Sequence, residues 1–207
     1  MDPVFTPNTD WFSPHIPVWN KWLGHLKNKS GLQFLEIGSF EGRSAIWLLK
    51  NILTHPGSRL TCIDCFERAR EAWDFEAATK LDIPKDLPVE KNFDFNIQAT
   101  GLENKVKKSK GTSNRLLRAL PFEAFDMIYI DGSHEAHNVL TDAVLSFSLL
   151  KTGGIMIFDD YEWVCFKGQP LRHPGIGIDG FLKSFEGKYE ILHKAFQVIL
   201  KKTASTL

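Results

Sequence analysis

Apolar residues along this chain switch between two spacings, and the switches mark out its elements. Short, nearly unbroken apolar runs occur at LQFLEIG, RLTCID, FDMIYID and GGIMIFDD. Runs of that length, bounded by glycine or acid, predict strands buried on both faces. Ala45, Ile46, Leu49, Ile52 and Leu53 recur instead at helical spacing, as do Val139, Ala143, Val144, Phe147 and Leu150, and each set predicts an amphipathic helix. Ser13 and Pro14 read as a helix start, with Ile16, Trp19, Leu23 and Leu26 on one face up to Gly31. The pattern further predicts a helix over about 91–101, a weak strand at KVKKSKG, a short helix over 113–120 capped by Ser113, and a helix over about 179–185. KYEILHK and FQVILKK follow, spaced to pair as a hairpin. Strands alternating with amphipathic helices imply an α/β, doubly wound, mostly parallel sheet with an antiparallel hairpin at its C-terminal end.

Size and charge narrow the picture. A chain of 207 residues, 43% hydrophobic, suits one core and is read as one domain over 1–207, with 1–30 as a helical cap. Lys plus Arg and Asp plus Glu both total 25, so no overall positive field exists to hold a nucleic-acid backbone, and no nucleic-acid partner is expected. Lys105, Lys107, Lys108 and Lys110 read as a solvated face. No run reaches the roughly 18 apolar residues of a membrane span and no signal pattern opens the chain, so a cytoplasmic protein with no membrane partner is expected. Cys62 and Cys65 lack a second pair to complete a zinc site and are expected as reduced thiols. Homo-oligomerisation stays open.

In a doubly wound sheet, ligands bind beyond the carboxyl ends of the strands, near the point where strand order reverses. The first strand ends in EIGSFEG, whose Glu36, Gly38, Ser39 and Gly42 suit a sharp turn close to a ligand. Phe40 occupies the place of the middle glycine of a dinucleotide fingerprint, and Phe40 and Glu41 would crowd a pyrophosphate. A nicotinamide enzyme is therefore the least favoured reading. Asp64 closes the second strand, where a carboxylate suits ribose hydroxyls or simply forms a turn, and Thr112 and Ser113 make a small polar turn suited to border a planar ring. Asp131, Asp159 and Asp160 end the later strands. Three carboxylates at adjacent tips repel one another unless a cation or a proton intervenes, which points to Mg²⁺. His134 follows Asp131 by three residues, placed to serve as a general base. His137 is assigned to the outer helix face, and His173 is a weaker substrate contact. Trp11, Trp73, Trp163 and Phe66 are candidates to wall a ring-shaped acceptor, whereas Trp19, Trp22 and Trp47 read as core.

Together, FLEIGSFEGRSAIWL, LTCIDCFE and FDMIYIDGSHEAHNVLTDAVLSFSLLKTGGIMIFDDY resemble a class I S-adenosylmethionine-dependent methyltransferase over roughly residues 30–200. IDGSH with GGIMIFDDY is similar to the metal-dependent O-methyltransferases that act on macrolide sugars and, more distantly, on catechols. The resemblance implies a Rossmann-like, seven-stranded sheet and S-adenosylmethionine as donor. It implies that Glu36, Gly38, Ser39 and Gly42 shape the site of the donor's amino-acid part, that Asp64 binds its ribose, and that Thr112 and Ser113 lie beside its adenine. Mg²⁺ would sit on Asp131, Asp159 and Asp160, and His134 would take the proton of a small-molecule hydroxyl acceptor. The segments 66–90 and 161–177 would flank that acceptor. Two other readings remain: a metal-independent methyltransferase acting on nitrogen, peptide or RNA, and a donor-binding module without catalysis.

Overall fold

A computed structural model describes residues 1–67, 84, 86–164 and 166–205, so Trp73 and most of segment 66–90 lie outside the described residues. Seven strands form one sheet: β1 (Gln33–Ile37), β2 (Arg59–Asp64), β3 (Val106–Lys110), β4 (Phe125–Ile130), β5 (Leu150–Phe158), β6 (Tyr189–Lys194) and β7 (Val198–Lys202). Their order is β3-β2-β1-β4-β5-β7-β6. The first five strands are parallel, and β7 runs antiparallel between β5 and β6. The mostly parallel sheet with its terminal antiparallel hairpin is as the periodicity predicts.

The helices are α1 (Ile16–Leu23), α2 (Arg43–Asn51), α3 (Val89–Ala99), α4 (Ser113–Leu117), α5 (Ala136–Leu149) and α6 (Pro174–Ser184). One apolar cluster joins the Trp19 and Leu23 face of α1, α2 and α3 to Phe34, Met127, Tyr129 and Ile157. A second joins α5 and α6 to Leu35, Ile128, Met156 and Leu200, so alternate residues of each central strand feed opposite faces. Each fully buried Leu, Ile or Phe contributes about 1.5–3 kcal/mol relative to exposure. That is why central β1, β4 and β5 are almost wholly apolar while edge β3, with its lysines, is half-exposed.

Expected boundaries move at several elements, and α4 ends at Leu117 rather than at 120. The first helix is broken into short 3-10 turns around α1. Leu150 opens β5 rather than closing α5, so the strand starts before Gly153. Helix α6 begins at Pro174, five residues early, because proline fits the first helical position and Gly177 lets α6 approach α5 closely. The connection expected over 161–177 is correspondingly shorter.

Candidate active site

The strand order reverses between β1 and β4, and the chain is tightest there. A side chain on Gly38 (φ 85°) would place its Cβ 1.8 Å from the carbonyl oxygen of Asp131. Only glycine lets the two strand tips come so close. Beyond Gly38 the turn passes through Phe40 at φ 47° and Gly42 at φ 85° before α2 begins at Arg43.

Asp64 fixes this turn. Its Oδ2 accepts hydrogen bonds from the backbone N–H of Ser39 (2.7 Å) and Phe40 (2.8 Å), and its Oδ1 from Phe66 N–H (2.6 Å). A carboxylate offers about four lone-pair sites, so one remains for a ligand hydroxyl. Glu36 is fully buried beneath the turn, where it accepts hydrogen bonds from the hydroxyls of Ser39 (2.6 Å) and Ser44 (2.5 Å). Burial pushes its carboxyl up to about 7, against the opposing pull of those two hydroxyls. Glu36 therefore braces from below the loop that it is expected to shape. Thr112, not Ser113, occupies the N-cap of α4, and Ser113 instead hydrogen-bonds the buried Asp142, whose carboxyl burial raises to about 6.

At the β4 and β5 tips, ligand atoms of Asp131, His134 and Asp160 all lie within 4.8 Å of one another. His134 Nε2 is 3.3 Å from Asp160 Oδ2, and its ring meets Trp163 edge-on with centroids 4.6 Å apart. Burial lowers His134 to about 4 and leaves it neutral. Asp159, grouped with these acids in the sequence reading, turns aside: its Oδ2 takes hydrogen bonds from Gln197 Nε2 (3.1 Å) and the Tyr129 hydroxyl. Gln197 in turn accepts from Trp19 Nε1 at 2.8 Å, tying the carboxylate to α1.

Tyr129 also lies 2.9 Å from Asp131 Oδ2. One hydroxyl hydrogen cannot satisfy two carboxylates, so the pair must share a further proton or face a cation. Burial and the neighbouring Asp159 and Asp160 charges accordingly push the Asp131 carboxyl well above its usual range. Tyr129 and Gln197 escaped the sequence reading because they look like ordinary strand residues; only β4–β5–β7 pairing brings them to the acids.

Other candidates fall on either side of the site. Trp11 contacts Phe40 with centroids 5.6 Å apart, whereas Phe66 is buried against Phe93 as core. Trp19 is fully buried, and Trp22 and Trp47 pack on the same cluster, as expected. His137 is exposed, and His173 accepts a hydrogen bond from Phe166 N–H at 3.4 Å within its own loop. Of the lysine run, Lys108 and Lys110 pair with Glu90 and Asp94, and Lys105 is buried on the carbonyls of Leu53 and His55. Cys62 is a buried free thiol. No helix among the described residues is long and apolar enough to cross a membrane.

The sequence matches the methyltransferase domain family over residues 35–161, which takes in the turn, Asp64 and all the strand-tip acids. The chain belongs to that family. A curated relative, an uncharacterized protein of Acanthamoeba polyphaga mimivirus, is 27% identical over 143 residues. The match covers 68% of this methyltransferase chain but 56% of the relative, so the chain spans little more than half of that relative's length. Among solved structures, the O-methyltransferase TomG of Streptomyces achromogenes, in complex with S-adenosylmethionine, superposes with a TM-score of 0.66 at 16% identity. It covers 96% of this chain and 83% of TomG. A candidate rRNA-methylase of Clostridium thermocellum gives 0.67 at 12% identity over 92% of this chain and 96% of its own. These likenesses show the fold, that of class I S-adenosylmethionine-dependent methyltransferases.

Proposed function

We propose that this methyltransferase passes the methyl group of S-adenosylmethionine to the hydroxyl of a small molecule, with a divalent cation, Mg²⁺, at the strand tips. The observation that carries the reading is the gathering of Asp131, His134 and Asp160 within 4.8 Å beside the Gly38 turn. A cation suits these residues. Two carboxylates offer hard oxygen donors, and positive charge relieves the crowding that otherwise forces Asp131 and Asp159 to share protons through Tyr129.

When bound, the donor supplies an activated methyl and the cation polarises the acceptor hydroxyl. The rest falls to the chain. Asp131 and Asp160 hold the cation, while Tyr129 and Gln197 keep Asp159 oriented behind them. His134 is neutral, the form that takes a proton, and Asp160 lies 3.3 Å from its Nε2, with its own carboxyl pushed well above the usual range by burial and the Asp159 charge. Asp64 holds the turn and offers its remaining lone pair to the ribose, with Thr112 and Ser113 beside the adenine. Trp163, edge-on to His134, gives the acceptor an aromatic wall. Catalysis comes from positioning and from charge placed where it develops. A small-molecule acceptor agrees with the balanced charge of the chain, which gives no electrostatic reason to hold RNA.

The test uses purified protein, S-adenosylmethionine and a panel of sugar and phenolic hydroxyls. EDTA should abolish turnover, Mg²⁺ should restore it, and Asp160→Asn should lose turnover yet still bind S-adenosylhomocysteine by calorimetry. Turnover indifferent to EDTA, or confined to nitrogen, peptide or RNA acceptors, overturns the metal-assisted reading. Donor binding without turnover on any acceptor favours a non-catalytic module, and absence of any heat with S-adenosylhomocysteine overturns the donor assignment.

A further inference from the structure

The segment that precedes α1 runs from α3, past the Phe40–Glu41 turn, to Asp159. Val4 N–H donates to Asn96 Oδ1 of α3 at 2.7 Å, and Asn96 Nδ2 donates back to the Glu41 carbonyl at 3.0 Å. Thr6 gives both its N–H (2.8 Å) and its hydroxyl (2.6 Å) to the Glu41 carboxylate, which also accepts from Asn92 Nδ2 at 2.6 Å. Phe5 lies under the Arg43 guanidinium, Asp10 is 3.4 Å from Arg43 Nε, and Trp11 meets Phe40. At the far end His15 stacks on Phe196 and lies 4.0 Å from Asp159. One stretch of twelve residues, 4–15, thus touches α3, the Phe40–Glu41 turn, the start of α2 and Asp159.

Glu41 is the knot. It is 1% exposed, and its carboxylate accepts three hydrogen bonds, two from the segment and one from α3. It is also adjacent to Phe40, whose N–H fixes the turn on Asp64. The residue that looked like an obstacle in the glycine-rich turn has its side chain directed to the segment instead.

We infer that residues 4–15 are a wall of the donor site, held in place by Glu41 as a positioning residue, so that docking of the segment and binding of the donor reinforce each other. The inference rests on the proposed donor site. A ligand that requires the docked segment loses affinity in proportion to the fraction of molecules with the segment docked. By reciprocity, bound ligand must protect the segment.

The experiment compares wild type with Glu41→Ala, Glu41→Gln and Trp11→Ala by calorimetric titration with S-adenosylhomocysteine, thermal melting, and limited chymotrypsin digestion at Phe5, Trp11 and Phe12. Glu41→Ala should weaken S-adenosylhomocysteine binding on the order of tenfold, as for a segment docked about a tenth of the time. Glu41→Gln, which keeps an acceptor for Thr6, should recover most of the loss. Ligand should slow cleavage of the wild-type segment and have less effect in Glu41→Ala. If Glu41→Ala does not fold, Trp11→Ala, altered at a side chain 44% exposed, should show the same loss more weakly. A lower melting temperature with unchanged ligand affinity, or ligand without effect on cleavage, overturns the inference. Wild-type protein that binds no S-adenosylhomocysteine overturns instead the donor site on which it rests.

Discussion

Replacing Gly38 by alanine tests the geometry on which the crevice depends. The added Cβ would stand 1.8 Å from the Asp131 carbonyl oxygen, 2.4 Å from its carbon and 2.7 Å from Gly132 Cα, all backbone atoms that no rotamer change can move. Restoring ordinary 3.4 Å contact from 1.8 Å needs the β1 and β4 tips to part by about 1.6 Å. The left-handed backbone costs alanine roughly 1–2 kcal/mol, and forced backbone shifts of this kind roughly 1–3 kcal/mol more. At about 2–4 °C per kcal/mol for a chain of this size, the melting temperature should fall by roughly 4–20 °C. Because Asp131 is itself the displaced residue, turnover should drop by about a hundredfold or more even where the fold survives. Gly31 provides the control: it has φ 70° but nothing within 4 Å of its Cβ position, so Gly31→Ala should show only the backbone cost. Scanning calorimetry on both variants, with S-adenosylhomocysteine titration, measures the difference. Equal melting temperatures for Gly38→Ala and Gly31→Ala would refute the close approach of the two strand tips.

Two further outcomes follow from buried groups. Glu36 has a folded value of about 7 against an ordinary 4.5, so between those pH values the folded chain binds more protons than the unfolded one. Its contribution is complete below about pH 4.5 and is lost as pH rises to 7, by at most roughly 3 kcal/mol. Glu36→Gln should flatten that part of the melting-temperature profile between pH 5 and 8; the slope from Asp142 has the same sign and persists in both proteins, so parallel profiles would contradict the assignment. Gln197→Leu leaves both Trp19 Nε1 and Asp159 short of a partner and should cost about 2–4 kcal/mol in urea unfolding, whereas a loss below 1 kcal/mol would show that the network carries little.

Much of the fold is legible in sequence because burial leaves a local trace. A strand covered on both faces must be apolar at nearly every position, as β1, β4 and β5 are, and an amphipathic helix must repeat its apolar face, as α2 and α5 do. The acids at 64, 131, 159 and 160 are legible too, since a charge after an apolar run marks a strand tip. Sequence cannot say which way those acids turn. Asp159 and Asp160 are adjacent, yet one is held by Tyr129 and Gln197 and the other faces His134, because side-chain direction at a strand end depends on partners in β4 and just before β7 that lie 30 and 38 residues away. Glu36 and Glu41 flank the same turn, and only packing of α2, α3 and the preceding segment around it decides that one braces the loop from beneath and the other ties the segment across it. Hydrophobic period is a local property and fixes the layers; the partner of a polar side chain is a long-range one, which tertiary structure alone assigns.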